Sequence, residues 1–337
     1  MRLGIWTPLP HTIRPEPRMT EAIQTLDAPP PGVDQAYRFA AEVLQRAEAW
    51  GFEITLVAAR HLGPDLDAWT LASALAAKTE TMEIMVAVHP GIIVPQMVAR
   101  MGASIDRISG GRFAVNVVNG WYRDEFNVFG AGGWAATPEE RYGRMDEFVQ
   151  VMKGLWTAEP FSFEGEFFRL DQAALPLKPL RKPHPPIYTA SRSAEGKETI
   201  ARHCDYWFVP DADNYRHYDA TLALIRSEIA AMNERARRHG RRIGYGLSAH
   251  VICTDTIEEA RRRADAFEEY GRIARYNRSA AVALGACLVG TPEIIADRLR
   301  SYEDAGVELF LFKFEPMLEG MDKFMTDVMP LIDRRIR

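Results

Sequence analysis

Cysteine is scarce in this chain, with three residues, Cys204, Cys253 and Cys287, spread through 337 positions. Their wide spacing and odd number exclude a disulfide framework or a cysteine-based zinc centre, and point to reduced thiols in a cytoplasmic protein. No apolar run reaches the roughly 18 residues that a bilayer span requires. The chain starts directly in Arg2-Leu3-Gly4-Ile5-Trp6, a strand-like run that lacks the charged-then-apolar layout of a secretion signal. A large excess of one charge is missing too: 41 basic and 46 acidic side chains leave −5. No segment concentrates Lys and Arg among aromatics, so neither nucleic acid nor a membrane is an expected partner. The basic runs near Arg235 and Arg261 fall on helical patterns and read as solvated faces.

Several catalytic signatures are also absent. There is no Gly-x-Ser-x-Gly elbow, no P-loop lysine motif and no Gly-x-Gly-x-x-Gly after a strand. The eight histidines include no pair at close metal spacing backed by carboxylates, so no catalytic metal is expected.

What is present is alternation. Short β-rich runs at Leu3 to Trp6, Ile54 to Val57, Glu83 to Val88, Phe113 to Val118, Pro186 to Ala190, Tyr206 to Val209, Gly244 to Cys253 and Glu308 to Phe314 are separated by helical patterns. The helices are expected at Asp34 to Trp50, Trp69 to Lys78, Gln96 to Ile108, Pro138 to Leu155, Ala194 to His203, Tyr218 to Arg238 and Pro292 to Ala305, with apolar residues at three and four spacing. Thr137-Pro138 and Thr291-Pro292 each place a capping hydroxyl before a helix-compatible proline, and Gly51, Gly240 and Gly306 close helices. This succession predicts an α/β fold, a (β/α)8 TIM barrel forming one domain over residues 1–337, with insertions at about 7–33, 156–184 and 271–290. The second insertion contains a hairpin pattern around Gly165.

In such a barrel, ligands sit at the carboxyl ends of the strands. The run Ser109 to Phe126 ends one apolar strand in Asn119-Gly120-Trp121 and passes straight into a polar, aromatic loop. The pleat puts Phe113, Val115 and Val117 on one face and Asn116 on the other, inside the barrel. There it is either a satisfied core amide or a ligand's hydrogen-bond partner. By the same argument His250 faces inward, as a structural histidine or as a proton donor near reacting atoms. The fifth strand runs into Ser191-Arg192-Ser193 at a helix start, which reads either as an ordinary N-cap or as a phosphate seat that a nearby base such as Arg141 would complement.

Taken together, Asp106-Arg107-Ile108-Ser109-Gly110-Gly111-Arg112, Val115 to Trp121, Arg141-Tyr142, Pro185-Pro186-Ile187-Tyr188, Ser191-Arg192-Ser193, His250-Val251-Ile252 and Val289-Gly290-Thr291-Pro292 give nearly the whole chain a family likeness. It resembles the bacterial luciferase-like, flavin-dependent monooxygenases, in the branch of alkanesulfonate, dimethylsulfone and pyrimidine-ring-opening enzymes. That resemblance implies an oxidoreductase of two-component type. FMN, reduced by a separate NAD(P)H-dependent flavin reductase, would be used with O2 to oxygenate a small substrate, of sulfone or sulfonate type, with C–S cleavage. Flavin contacts carried over by position are Ala59, Arg60, Asn116, Glu125, Arg141, Tyr142, Ser191 and Ser193. His250 and Asn116 would be catalytic, and Trp6, His89, Trp121, Tyr188 and His250 would line the substrate pocket. Ser248 stands where the sulfonate enzymes carry arginine. The insertions at 7–33 and 271–290 would close over the pocket, and a homodimer or homotetramer is implied. Alternatives within the same superfamily are an enzyme acting on a nitrogen heterocycle or amine, and a deazaflavin-dependent oxidoreductase.

Overall fold

The computed structural model describes residues 1–12, 32–120, 122–130, 134–135, 137–212, 214–273 and 283–333. In chain order these form β1 (Arg2–Trp6), α1 (Gln35–Ala49), β2 (Ile54–Val57), α2 (Ala68–Ala76), β3 (Glu83–Val88), α3 (Pro95–Ile108), β4 (Phe113–Val117), α4 (Arg123–Phe129), α5 (Pro138–Thr157), β5 (Phe161–Glu164) and β6 (Arg169–Ala173). There follow β7 (Ile187–Thr189), α6 (Ala194–His203), β8 (Tyr206–Phe208), α7 (Tyr218–Arg238), β9 (Gly244–Cys253), α8 (Ile257–Ile273), β10 (Val289–Gly290), α9 (Pro292–Asp304), β11 (Leu309–Phe314) and α10 (Met317–Lys323), with a further helical stretch over Phe324–Val328 and Met329–Asp333. Strands β1, β2, β3, β4, β7, β8, β9 and β11 pair in parallel in that order, and β11 returns to β1, closing the (β/α)8 barrel. The expected hairpin is the antiparallel pair β5–β6.

Period-two alternation divides the apolar residues into two layers. Ile54, Leu56, Met85, Ala87, Ala114, Tyr188, Phe208, Leu309 and Leu311 fill the barrel interior. Their strand neighbours, such as Ile84, Val115, Val117, Phe310 and Phe312, pack outward against the helices. Asp34, Asp67, Thr137 and Ser193 cap their helices by accepting from Tyr37, Thr70, Glu140 and Gly196 backbone N–H groups. Thr291 makes no such bond to α9, so its expected capping role is corrected. Gly51, Gly240 and Gly306 adopt φ of 88°, 65° and 108°, the left-handed closure the sequence predicts. Sequence periodicity missed α4, and α8 and the helices after Phe314 were not among the expected elements. No helix among the described residues is long and apolar enough to cross a membrane.

The segment Asp106 to Arg112 lies at the amino-terminal rim, away from the strand mouths, and its chemistry is structural. The Arg112 guanidinium donates to the carbonyls of Ala76 (2.8 Å), Thr79 (2.9 Å), Met82 (2.6 Å) and Ser109 (2.7 Å). It thereby satisfies carbonyls that the end of α2 leaves open. The fully buried Asp106 carboxylate accepts from the backbone of Phe113 (3.3 Å), Leu180 (2.6 Å) and Arg181 (3.1 Å), tying the hairpin insertion to the barrel.

Candidate active site

Four of the proposed side chains converge at the carboxyl rim. Asn116, 5% exposed, projects into the barrel between Ala87 and Tyr188, its register partners on β3 and β7. Its Oδ1 is buried with no hydrogen-bond partner among the described residues, an arrangement that costs about 1–3 kcal/mol unless a ligand supplies a donor. One strand further round, β7 leads into the start of α6. There the Tyr142 hydroxyl lies 3.2 Å from Ser191 Oγ, which is 3.3 Å from Ser193 Oγ. Ser193 in turn accepts from Gly196 N–H at 3.0 Å. Three hydroxyls thus gather over the positive end of a helix, the arrangement that holds a phosphate.

Arg141 is placed differently from the sequence expectation. Its guanidinium stacks on Trp134 at 4.6 Å and donates to the Ala135 carbonyl at 3.2 Å. It borders a small cleft with Pro90, Gly91, Phe126, Ala135 and Arg144. The side chain recorded against the serines is Tyr142, its neighbour. Helical spacing gives adjacent residues different directions, so an Arg-Tyr pair cannot serve one point equally.

Glu125, 3% exposed, accepts from the backbone N–H of His61 (2.9 Å) and Leu62 (3.2 Å) and pairs with Arg60 Nε at 3.2 Å. Arg60 lies over the Tyr122 ring at 3.9 Å, and the half-buried Ala59 beside it packs against the barrel core. This arrangement fixes the loop after β2 as one wall of the mouth. His89 Nδ1 lies 3.4 Å from His61 Nε2, and burial, with His61, Arg60 and His11 nearby, pushes His89 down to about 3, so it stays neutral. Donor atoms of His61, His89 and Glu125 lie within 4.8 Å of one another, which corrects the view that no histidine pair approaches a carboxylate. Because the three come from three separate elements, sequence spacing could not reveal them. Arg60 and two N–H groups already engage the carboxylate oxygen that Glu125 would offer to a metal. Glu125→Gln is expected to lower stability by about 2 kcal/mol, the loss of a charge-assisted contact, as read by urea denaturation.

On the opposite side, Trp6 donates through Nε1 to Ser248 Oγ at 2.9 Å. His250 is 1% exposed and its ring meets Phe267 of α8 edge-on at 4.6 Å. Lys313, which sequence reading missed, sits beside both. Tyr188 was expected to line the pocket but is directed downward. Its hydroxyl donates to Glu83 at 2.9 Å and accepts from Arg2 at 3.3 Å, both first residues of their strands. With Tyr206 stacked on it at 4.6 Å, the ring plugs the barrel base. Trp121 lies outside the described residues, as does most of the arm at 7–33 and the stretch 274–282 of the proposed lid.

A closed parallel barrel with amide, hydroxyl and imidazole groups gathered at its carboxyl rim is an enzyme architecture with its ligand at the strand mouths. The family is identified by comparison: the chain belongs to the luciferase-like monooxygenases, whose sequence model matches residues 1–309. It is 33% identical to an FMNH2-dependent dimethylsulfone monooxygenase of Pseudomonas putida, the match covering 86% of each chain. A protein of the same description from Pseudomonas fluorescens is 30% identical, again over 86% of both. Among solved structures, the EDTA monooxygenase of Chelativorans superposes with a TM-score of 0.76 over 99% of this chain and 94% of the other, at 18% identity, a likeness of fold.

Proposed function

We propose that this chain is a reduced-FMN-dependent monooxygenase that oxygenates a small organosulfur compound of sulfone or sulfonate type and so leads to C–S cleavage. The observation that carries the reading is the 33% identity to a dimethylsulfone monooxygenase over 86% of the chain. The residues at the rim fit a flavin mononucleotide. The hydroxyls of Tyr142, Ser191 and Ser193 at the start of α6 would hold its phosphate, and the unpartnered Asn116 Oδ1 would accept from a ring N–H. Arg60, held by Glu125, would flank the ring. When bound, reduced FMN supplies the electrons that activate O2. The protein's own part is to orient the substrate, exclude water and place donors, with Trp6, His89 and His250 as walls.

In this reading the chain works in the cytoplasm as one barrel domain, self-associates, and receives FMNH2 from an NAD(P)H-dependent flavin reductase. Arg141 would support the flavin through the Trp134 loop rather than hold the phosphate directly. The test is a coupled assay with reductase, NADH, FMN and dimethylsulfone, scoring sulfone-dependent formation of methanesulfinate, alongside anaerobic titrations with FMNH2 and with a reduced deazaflavin. Tight FMNH2 binding with sulfone turnover is expected. Binding of the deazaflavin alone, or turnover only with an amine or heterocycle, contradicts it.

A further inference from the structure

Lys313 is the least expected residue in the barrel. It stands in Leu309-Phe310-Leu311-Phe312-Lys313-Phe314, an otherwise apolar strand whose members are all buried. Alternation decides its direction. Leu309 and Leu311 belong to the interior cluster, whereas Phe310, Phe312 and Phe314 pack outward against the helices, so Lys313 points into the barrel near its carboxyl end. It is 2% exposed. Its ammonium lies 3.9 Å from the centre of the Trp6 ring, and among the described residues no hydrogen bond or ion pair engages it.

Such a placement is costly. Buried ammonium groups are normally paired, because desolvation of a lone charge exceeds what a single aromatic face returns. The position is also central to the chamber. Lys313 is the register partner of His250 on β9. On its other side Trp6, which continues the β1–β11 register past Ile5 and Phe312, is anchored to Ser248. A lysine is dispensable for packing there, since Leu309 and Leu311 fill the same face lower in the barrel with hydrocarbon alone.

We propose that Lys313 is the anion-binding cation of the reaction chamber, and that it seats the oxyanion head of an organosulfur acid, a sulfonate substrate or the sulfinate that sulfone cleavage releases, between Trp6 and His250. This rests on the monooxygenase reading and deepens it by naming the anion chemistry that the chamber binds. Burial lowers the Lys313 ammonium to about 7, with no charged neighbour contributing. Of the strands packed against it, β9 presents His250 as its ionisable group and β1 presents Trp6, which has none. In the absence of a ligand the amine is therefore largely neutral above pH 7. An arriving anion restores the proton, and binding and protonation are linked. The sign follows: affinity is greatest below pH 7 and falls by about tenfold for each pH unit above it.

Calorimetric titration of methanesulfinate into FMN-saturated protein, in two buffers of different ionisation heat, tests this. At pH 8 uptake approaching one proton per site is expected, and at pH 6 little. Lys313→Arg should bind without proton uptake, because guanidinium stays charged. Lys313→Met should lose at least tenfold in methanesulfinate affinity while binding FMN as the parent does. Unchanged methanesulfinate binding in Lys313→Met, no uptake at pH 8, or no binding to the parent at 50 mM overturns the assignment. Should Lys313→Met fail to fold, Lys313→Arg decides: binding without proton uptake supports the proposal, and loss of binding or persistent uptake overturns it. If FMN itself does not bind, the flavin reading fails, and the same titration of flavin-free protein still judges Lys313.

Discussion

Gly196→Ala is expected to reduce FMN affinity by on the order of a hundredfold while the barrel stays folded. A methyl group built on Gly196 would meet Ser191 Oγ at 2.1 Å and Tyr142 Cε1 at 2.6 Å. The serine can rotate, but rotation breaks its contacts with both Tyr142 and Ser193. The tyrosine ring can move only by leaving the cradle. One or two charge-assisted hydrogen bonds to phosphate, worth about 1.5–3 kcal/mol each, account for the loss. Within a helix, alanine is otherwise favoured over glycine by about 1 kcal/mol. A fall in flavin affinity with unchanged melting temperature therefore isolates the cradle, and fluorescence titration of FMN reads it. Affinity within threefold of the parent would mean that the phosphate sits elsewhere.

Asp106→Ala should have the largest effect on stability, about 3–5 kcal/mol by denaturant unfolding. The carboxylate is fully buried and accepts from three backbone N–H groups. Deleting it leaves buried donors unsatisfied at about 1–3 kcal/mol each. Asp106→Asn keeps one oxygen and should recover part of the loss. Because the segment is remote from the strand mouths, the folded fraction of either variant should bind FMN normally. A loss of flavin affinity in folded Asp106→Asn would contradict the structural role given to this motif.

The barrel was legible in the sequence because its strands are apolar and its helices amphipathic, and the two periods seldom conflict. Period two also gave the inward faces of Asn116 and His250. What period two does not give is direction along the strand. Tyr188 lies on the inner face, as alternation requires, yet its long side chain runs to Glu83 and Arg2 at the base. The cluster of His61, His89 and Glu125 was hidden for another reason, since tertiary pairing of two loops with the short helix α4 has no local signature. Lys313 did leave a signal, a single charge inside a run of Leu and Phe, which sheet burial makes improbable unless the charge has a partner or a task. Helix α4 escaped notice because seven residues in a polar loop give too short a window for periodicity.

The central claim is that a flavin mononucleotide occupies the barrel's carboxyl mouth with its phosphate on the start of α6. A crystal structure of the protein soaked with FMN measures this directly. The account predicts phosphate oxygens within hydrogen-bond distance of Ser191, Ser193 and Tyr142, and the ring edge against Asn116. A flavin bound outside the mouth, or its phosphate elsewhere on the rim, would contradict it.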